Sequence, residues 1–159
     1  MERRFNKNFI ITRNFYKAYG LAILRCVYLI AHPDIINQVN KIRLPYNLNQ
    51  FTQVCISSIL KQREMITSKI AMLQYERGIV YEALKNMEGV DPFPTDANFI
   101  LFRTQSSSSR VHASLLDKGV LVRSFEQKKP LINCLRVTVG TDKHNRQFLS
   151  NLSITLSQD

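Results

Sequence analysis

Tryptophan is absent from the 159 residues, and glycine and proline are scarce at five each. So little glycine excludes collagen-like and low-complexity chains. It also excludes the motifs that glycine builds: there is no Walker loop, no dinucleotide-binding glycine fingerprint and no Gly-x-Ser-x-Gly elbow. Cysteine is limited to Cys26, Cys55 and Cys134, odd in number, far apart and set in apolar sequence. They read as buried reduced thiols, not as a disulfide framework. His32, His112 and His144 share no ligand spacing with one another or with the cysteines, so no metal site is expected. Each reads as a surface or helix-end residue.

Acidic residues are also few: 12 Asp+Glu stand against 22 Lys+Arg, a net charge of +10. The excess lies at the front, where Arg3, Arg4, Lys7, Arg13, Lys17, Arg25, Lys41 and Arg43 face only Glu2 and Asp34. From Gln62 to Glu88 acids and bases alternate, as on a solvated helix. Such a charge attracts phosphates without selectivity. No basic block, zinc-finger spacing or ribonucleoprotein pattern accompanies it, so no nucleic-acid partner is expected. The apolar run "YGLAILRCVYLIAH" has Arg25 at its centre and is too short to span a bilayer, so neither a membrane span nor a signal peptide is expected.

What is present is the composition of a packed protein, 45% hydrophobic and 21% charged. "NFIIT" and "LRCVYLIA" read as neighbouring strands, with a turn at Ala18 to Gly20. "HPDIINQVNKIRL" has helical spacing, with Pro33 in the first turn and Leu44 and Pro45 ending it. "FTQVCISSIL" begins another helical pattern. Ile66, Ile70, Leu73, Arg77, Val80, Leu84 and Met87 then trace one stripe at alternating four- and three-residue steps, and Gly89 caps that helix. "DPFPTD" reads as a loop. "ANFILFR", "VLVRSF" and "NCLRVTVG" read as strands, the serines 106 to 109 as a solvated loop before a short helix, and "DKHNRQFLSNLSITL" as a terminal helix. The fold class expected is α/β, with an α+β small domain in which helices pack on a small mixed or antiparallel sheet.

Cations on strands stand out. Lys17 and Arg25 flank a turn, Arg123 lies in "LVRSF", and Arg136 lies in "CLRVTVG", where Leu135, Val137 and Val139 alternate to the opposite face. A strand arginine needs an anionic partner, either an internal carboxylate or a ligand phosphate or carboxylate gripped by two parallel hydrogen bonds. A lysine in an apolar, aromatic turn near an arginine has its charged form disfavoured, which makes it an amine nucleophile.

These residues carry a resemblance. "TRNFYKAYGLAILRCVYLIAHPDII" is similar to the segment around the Schiff-base lysine of the fold-type I, pyridoxal-phosphate-dependent aminotransferases, and most of all to the histidinol-phosphate aminotransferases. "KIRLPYNLN", "PTDANFILFR", "GVLVRSF" and "CLRVTVGT" continue the match in order. The resemblance implies that Lys17 is the catalytic lysine that binds pyridoxal 5'-phosphate and moves the α-proton. It implies that Arg25 pairs with the cofactor phosphate, and that Arg123 and Arg136 hold the anionic group of the substrate.

It further implies amino-group transfer between histidinol phosphate and 2-oxoglutarate in histidine biosynthesis. The substrates would thus be a phosphorylated amine or amino acid and a 2-oxo acid, handled by a cytoplasmic homodimer. The matched segments correspond to the C-terminal portion of such an enzyme: residues 1–48 to the large cofactor-binding domain and 49–159 to the small domain. Asn14 and Tyr16 stand where the family has Thr and Ser, and Ile23 and Val27 where it has glycines beside the arginine. Alternatives are an aromatic aminotransferase, a threonine-phosphate decarboxylase, or a noncatalytic binding protein.

Overall fold

A computed structural model describes residues 8–125 and 129–158. Arg3, Arg4, Lys7 and Glu2 therefore lie outside the described residues. The chain forms two compact units, Met1–Ser68 and Lys69–Asp159.

The first unit opens with an antiparallel pair, β1 (Ile10–Asn14) and β2 (Val27–Ala31), in the register Ile10↔Ala31 through Asn14↔Val27. Their connection is longer than the three-residue turn expected. It contains a tight turn in which the Gly20 N–H donates to the Lys17 carbonyl at 3.2 Å, then a 3-10 turn at Ala22–Leu24. Phe15 is buried and gathers Tyr19 and Tyr28 at ring-centroid distances of 5.0 and 5.6 Å, which gives this connection a small core of its own.

Helix α1 (Pro33–Ile42) starts as the sequence indicates: Pro33 takes a position whose N–H has no helical partner, and His32 Nδ1 accepts from the Asp34 N–H at 3.3 Å. Asn49 caps α2 (Gln50–Leu60) through Oδ1, which accepts from the Thr52 N–H at 2.7 Å. Thr52 is buried, and its hydroxyl donates to the Leu24 carbonyl at 3.4 Å, fastening the first turn of α2 to the 3-10 turn.

Helix α3 (Arg63–Lys85) carries the stripe read from the sequence, with Ile66, Val80 and Leu84 buried. Its solvated reading fails at one place. Glu76 is only 7% exposed, because Asn145 Nδ2 donates to its Oε2 at 2.8 Å. Gly89 then takes φ +74°, a left-handed conformation that a side chain would strain.

The second unit is built on a four-stranded antiparallel sheet in the order β3-β4-β6-β5: β3 (Val90–Pro92), β4 (Phe99–Thr104), β5 (Arg123–Ser124) and β6 (Cys134–Thr138). Strand β3 overlaps the stretch expected to be loop. It is an edge strand, and Pro92 can end it because an edge has ladder positions that need no N–H. Strand β5 is only two residues of the longer strand expected.

One face of the sheet meets α3, α4 (Ser108–Asp117) and α5 (Asp142–Leu156) in a core that includes Leu84, Ile100, Phe102, Leu115, Leu135 and Leu152, all with no exposed surface. Period-two alternation selects these strand residues, and the Phe102 and Phe148 rings meet at 5.9 Å. The serine run is not all loop: Ser108 and Ser109 begin α4, and Ser108 is fully buried.

Candidate active site

The first group of cations lies on the connection between β1 and β2. Asn14 Oδ1 accepts from the Tyr16 N–H at 3.0 Å, turning the chain out of β1 just before Lys17. The Lys17 side chain is exposed. Nine residues on, the Leu21 N–H has donated to the Phe15 carbonyl at 3.1 Å, the Phe15 N–H donates to the Cys26 carbonyl at 3.3 Å, and the loop is closed. Arg25 stands at the end of the 3-10 turn with φ 50° and ψ 31°. A left-handed backbone at a residue with a Cβ costs on the order of 1–2 kcal/mol and is held here by the surrounding bonds.

The Arg25 guanidinium carbon lies 4.7 Å from the centroid of the Tyr16 ring. An amine and a guanidinium are thus held on one closed loop, with the aromatic side chain that touches the guanidinium next to the lysine. Ile23 and Val27 are 87% and 51% exposed.

The second group lies on the sheet of the second unit. Arg123 and Arg136 are direct cross-strand partners in the β5–β6 register, so both side chains are on the same face. That face is opposite the one formed by Leu135 and Val137, as alternation along β6 requires. Arg136 stacks on Phe99 at 4.9 Å and Arg123 on Phe125 at 5.3 Å. Among the described residues no carboxylate pairs with either. The Arg136 Nε is buried and has no hydrogen-bond partner among the described residues. A buried donor left unmade costs about 1–3 kcal/mol, and a bound anion would recover it.

Both arginines line an open depression of about 520 Å³ that is also bordered by His112, Leu121 and Thr138. From the sequence His112 reads only as a surface or helix-end residue. Its place beside Val111, at the edge of the buried stripe of α4, is what brings it here. Among the described residues no His, Cys, Asp and Glu group could hold a metal ion, and no helix is long and apolar enough to cross a membrane.

The loop offers an amine for an aldehyde and a guanidinium for a phosphate, and the sheet face offers two guanidinium groups with one unfilled donor.

Residues 1–152 match the family described as aminotransferase class I and II. The chain is 38% identical over 143 residues to the histidinol-phosphate aminotransferase of Vesicomyosocius okutanii, covering 90% of this chain and 40% of that one. The chain thus spans about two fifths of the length of the curated relatives it matches.

Among solved structures, the L-threonine-O-3-phosphate decarboxylase of Porphyromonas gingivalis aligns with a TM-score of 0.83 at 24% identity, over 96% of this chain and 48% of that one. The histidinol-phosphate aminotransferase of Sinorhizobium meliloti, in complex with pyridoxal-5'-phosphate, aligns with a TM-score of 0.82 at 22% identity, over 96% and 42%. At such identities the structural likeness speaks for the fold, which these enzymes share. The chain belongs to the class I and II aminotransferase family, whose cofactor is pyridoxal 5'-phosphate.

Proposed function

We propose that this chain carries the cofactor loop and the substrate-anion face of a histidinol-phosphate aminotransferase. Such an enzyme moves an amino group between L-histidinol phosphate and 2-oxoglutarate in histidine biosynthesis. The observation that carries the reading is the pairing of an exposed amine, Lys17, with a strained and stacked guanidinium, Arg25, on one closed loop. The similarity to relatives named for that activity supports the choice of substrate.

When bound, pyridoxal 5'-phosphate supplies an aldehyde to accept the amino group and a ring that delocalises the electrons released at the α-carbon. Lys17 Nζ is the amine that holds the aldehyde end and the base that takes and returns the α-proton. Arg25 donates its in-plane N–H groups to the phosphate end. Arg123 and Arg136 grip the anionic group of the substrate, and the buried Arg136 Nε gains the partner it lacks. Residues 1–48 then belong to the large cofactor-binding domain and 49–159 to the small one, in a cytoplasmic homodimer.

Reduction of the purified chain with borohydride in the presence of pyridoxal 5'-phosphate, followed by peptide mass spectrometry, tests the assignment. The label is expected on Lys17, and Lys17→Ala is expected to abolish it. Labelling spread over the exposed lysines, or undiminished in Lys17→Ala, would remove this lysine from the mechanism.

A further inference from the structure

We infer that Tyr16 is a positioning residue that makes Arg25 an anion anchor, its ring taking the face of the guanidinium so that the in-plane donors are left for a phosphate. The inference rests on the reading of Arg25 as the phosphate anchor and adds the residue that fixes it. Arg25 is exposed and has no carboxylate partner among the described residues, so nothing ionic orients it. A free arginine side chain would sample many rotamers and lose that freedom on binding. Here the Cζ to ring-centroid distance of 4.7 Å places it in a cation–π stack. The five N–H donors of a guanidinium lie in its plane, so a ring on one face removes none of them.

The stack is fixed at both ends. Asn14 Oδ1 holds the Tyr16 N–H at 3.0 Å, and the Arg25 N–H donates to the Ala22 carbonyl at 3.4 Å while its backbone is held at φ 50°. Because Tyr16 directly precedes Lys17, the stack also limits how far a bound phosphate can lie from the amine. This tyrosine stands where the family pattern has a serine, and its ring orients the cation and leaves the anion to it.

The test follows the Arg25 Nε–Hε NMR signal during titration with inorganic phosphate, which needs no reaction at Lys17. Tyr16→Phe keeps the ring and is expected to match the wild-type chain. Tyr16→Leu should weaken phosphate binding about two- to fivefold, and Tyr16→Trp, the strongest cation–π partner, should strengthen it. Opposite shifts from Leu and Trp keep the test decisive even where one variant folds poorly.

In parallel, the preference for pyridoxal 5'-phosphate over pyridoxal should fall in Tyr16→Leu by the same factor. Equal phosphate affinity in Leu, Phe and Trp variants overturns the inference. So does an Arg25 signal that phosphate does not move, or a Phe variant as damaged as the Leu variant. If phosphate behaves as expected but Lys17 captures no aldehyde, the cofactor reading falls and the Tyr16–Arg25 anion site stands.

Discussion

Replacing Asn145 with alanine should destabilise the second unit out of proportion to the size of the side chain. Asn145 is 5% exposed and makes three contacts: Nδ2 donates to Glu76 Oε2 at 2.8 Å and to the Gly140 carbonyl at 3.2 Å, and Oδ1 accepts from the Gly140 N–H at 2.8 Å. A hydrogen bond to a charged group contributes about 1.5–3 kcal/mol and a neutral one about 0.5–1.5. Alanine removes all three and leaves the Glu76 carboxylate buried beside an unpaired N–H, so a loss of about 3 kcal/mol is expected. That is a large share of the ~5–15 kcal/mol that keeps a domain folded.

Urea unfolding followed by far-UV circular dichroism would show it as a lower midpoint at unchanged slope. Glu76→Gln, which keeps an acceptor oxygen without the charge, should lose less than half as much. A cost below about 1 kcal/mol for Asn145→Ala would refute the reasoning, because it would mean that water satisfies the carboxylate once the amide is gone. The consequence reaches the site, since Gly140 follows the strand that carries Arg136.

Two further outcomes follow from the packing and the charges. Phe102→Ala empties a fully buried position against Phe148 and should cost about 3–5 kcal/mol, read as a shifted midpoint in the same unfolding experiment. Arg123→Gln removes a like charge directly opposite Arg136; without added anion it should raise stability by about 0.2–1 kcal/mol. It should also reduce the thermal stabilisation that phosphate gives the second unit, so melting with and without phosphate checks both signs.

Long periodic segments were legible because one physical demand dominates them. The stripe of α3 and the alternation of β4 and β6 place apolar residues where the core needs them. The same alternation sets Arg136 opposite Leu135 and Val137, and the β5–β6 register brings Arg123 to its side. Where the reading failed, tertiary contacts overrode local pattern. Glu76 looked solvated by its charged neighbours, but a residue 69 positions away holds it inside. Val90–Pro92 carries an Asp and a Pro, both poor strand formers, yet the free edge of β4 recruits it. Ser108 joins a helix because Val111 and Leu115 draw that helix onto the sheet. The left-handed Arg25 had no signal at all, since the chain places no glycine or asparagine there.

Arginines whose side-chain donors are spent within the chain can be set beside the three assigned to anions. Arg77 donates to the Ala97 carbonyl and pairs with Asp96, Arg103 donates to the Pro130 carbonyl, and Arg146 pairs with Asp142, which raises its pKa. These are structural cations with their donors in use. Arg103 also stacks on Phe93 at 5.5 Å. Arg25, Arg123 and Arg136 have aromatic faces beneath them as well, Tyr16, Phe125 and Phe99 at 4.7, 5.3 and 4.9 Å, and no carboxylate partner among the described residues.

Folding alone does not favour that arrangement: one of the three has a strained backbone, two are like charges opposed across a ladder, and one has a buried donor unmade. An aromatic face, however, orients a guanidinium without consuming its in-plane hydrogen bonds. A carboxylate would consume them. Of the two ways to hold an arginine still, only the first leaves it able to bind an anion, and the chain uses it at each of these three positions.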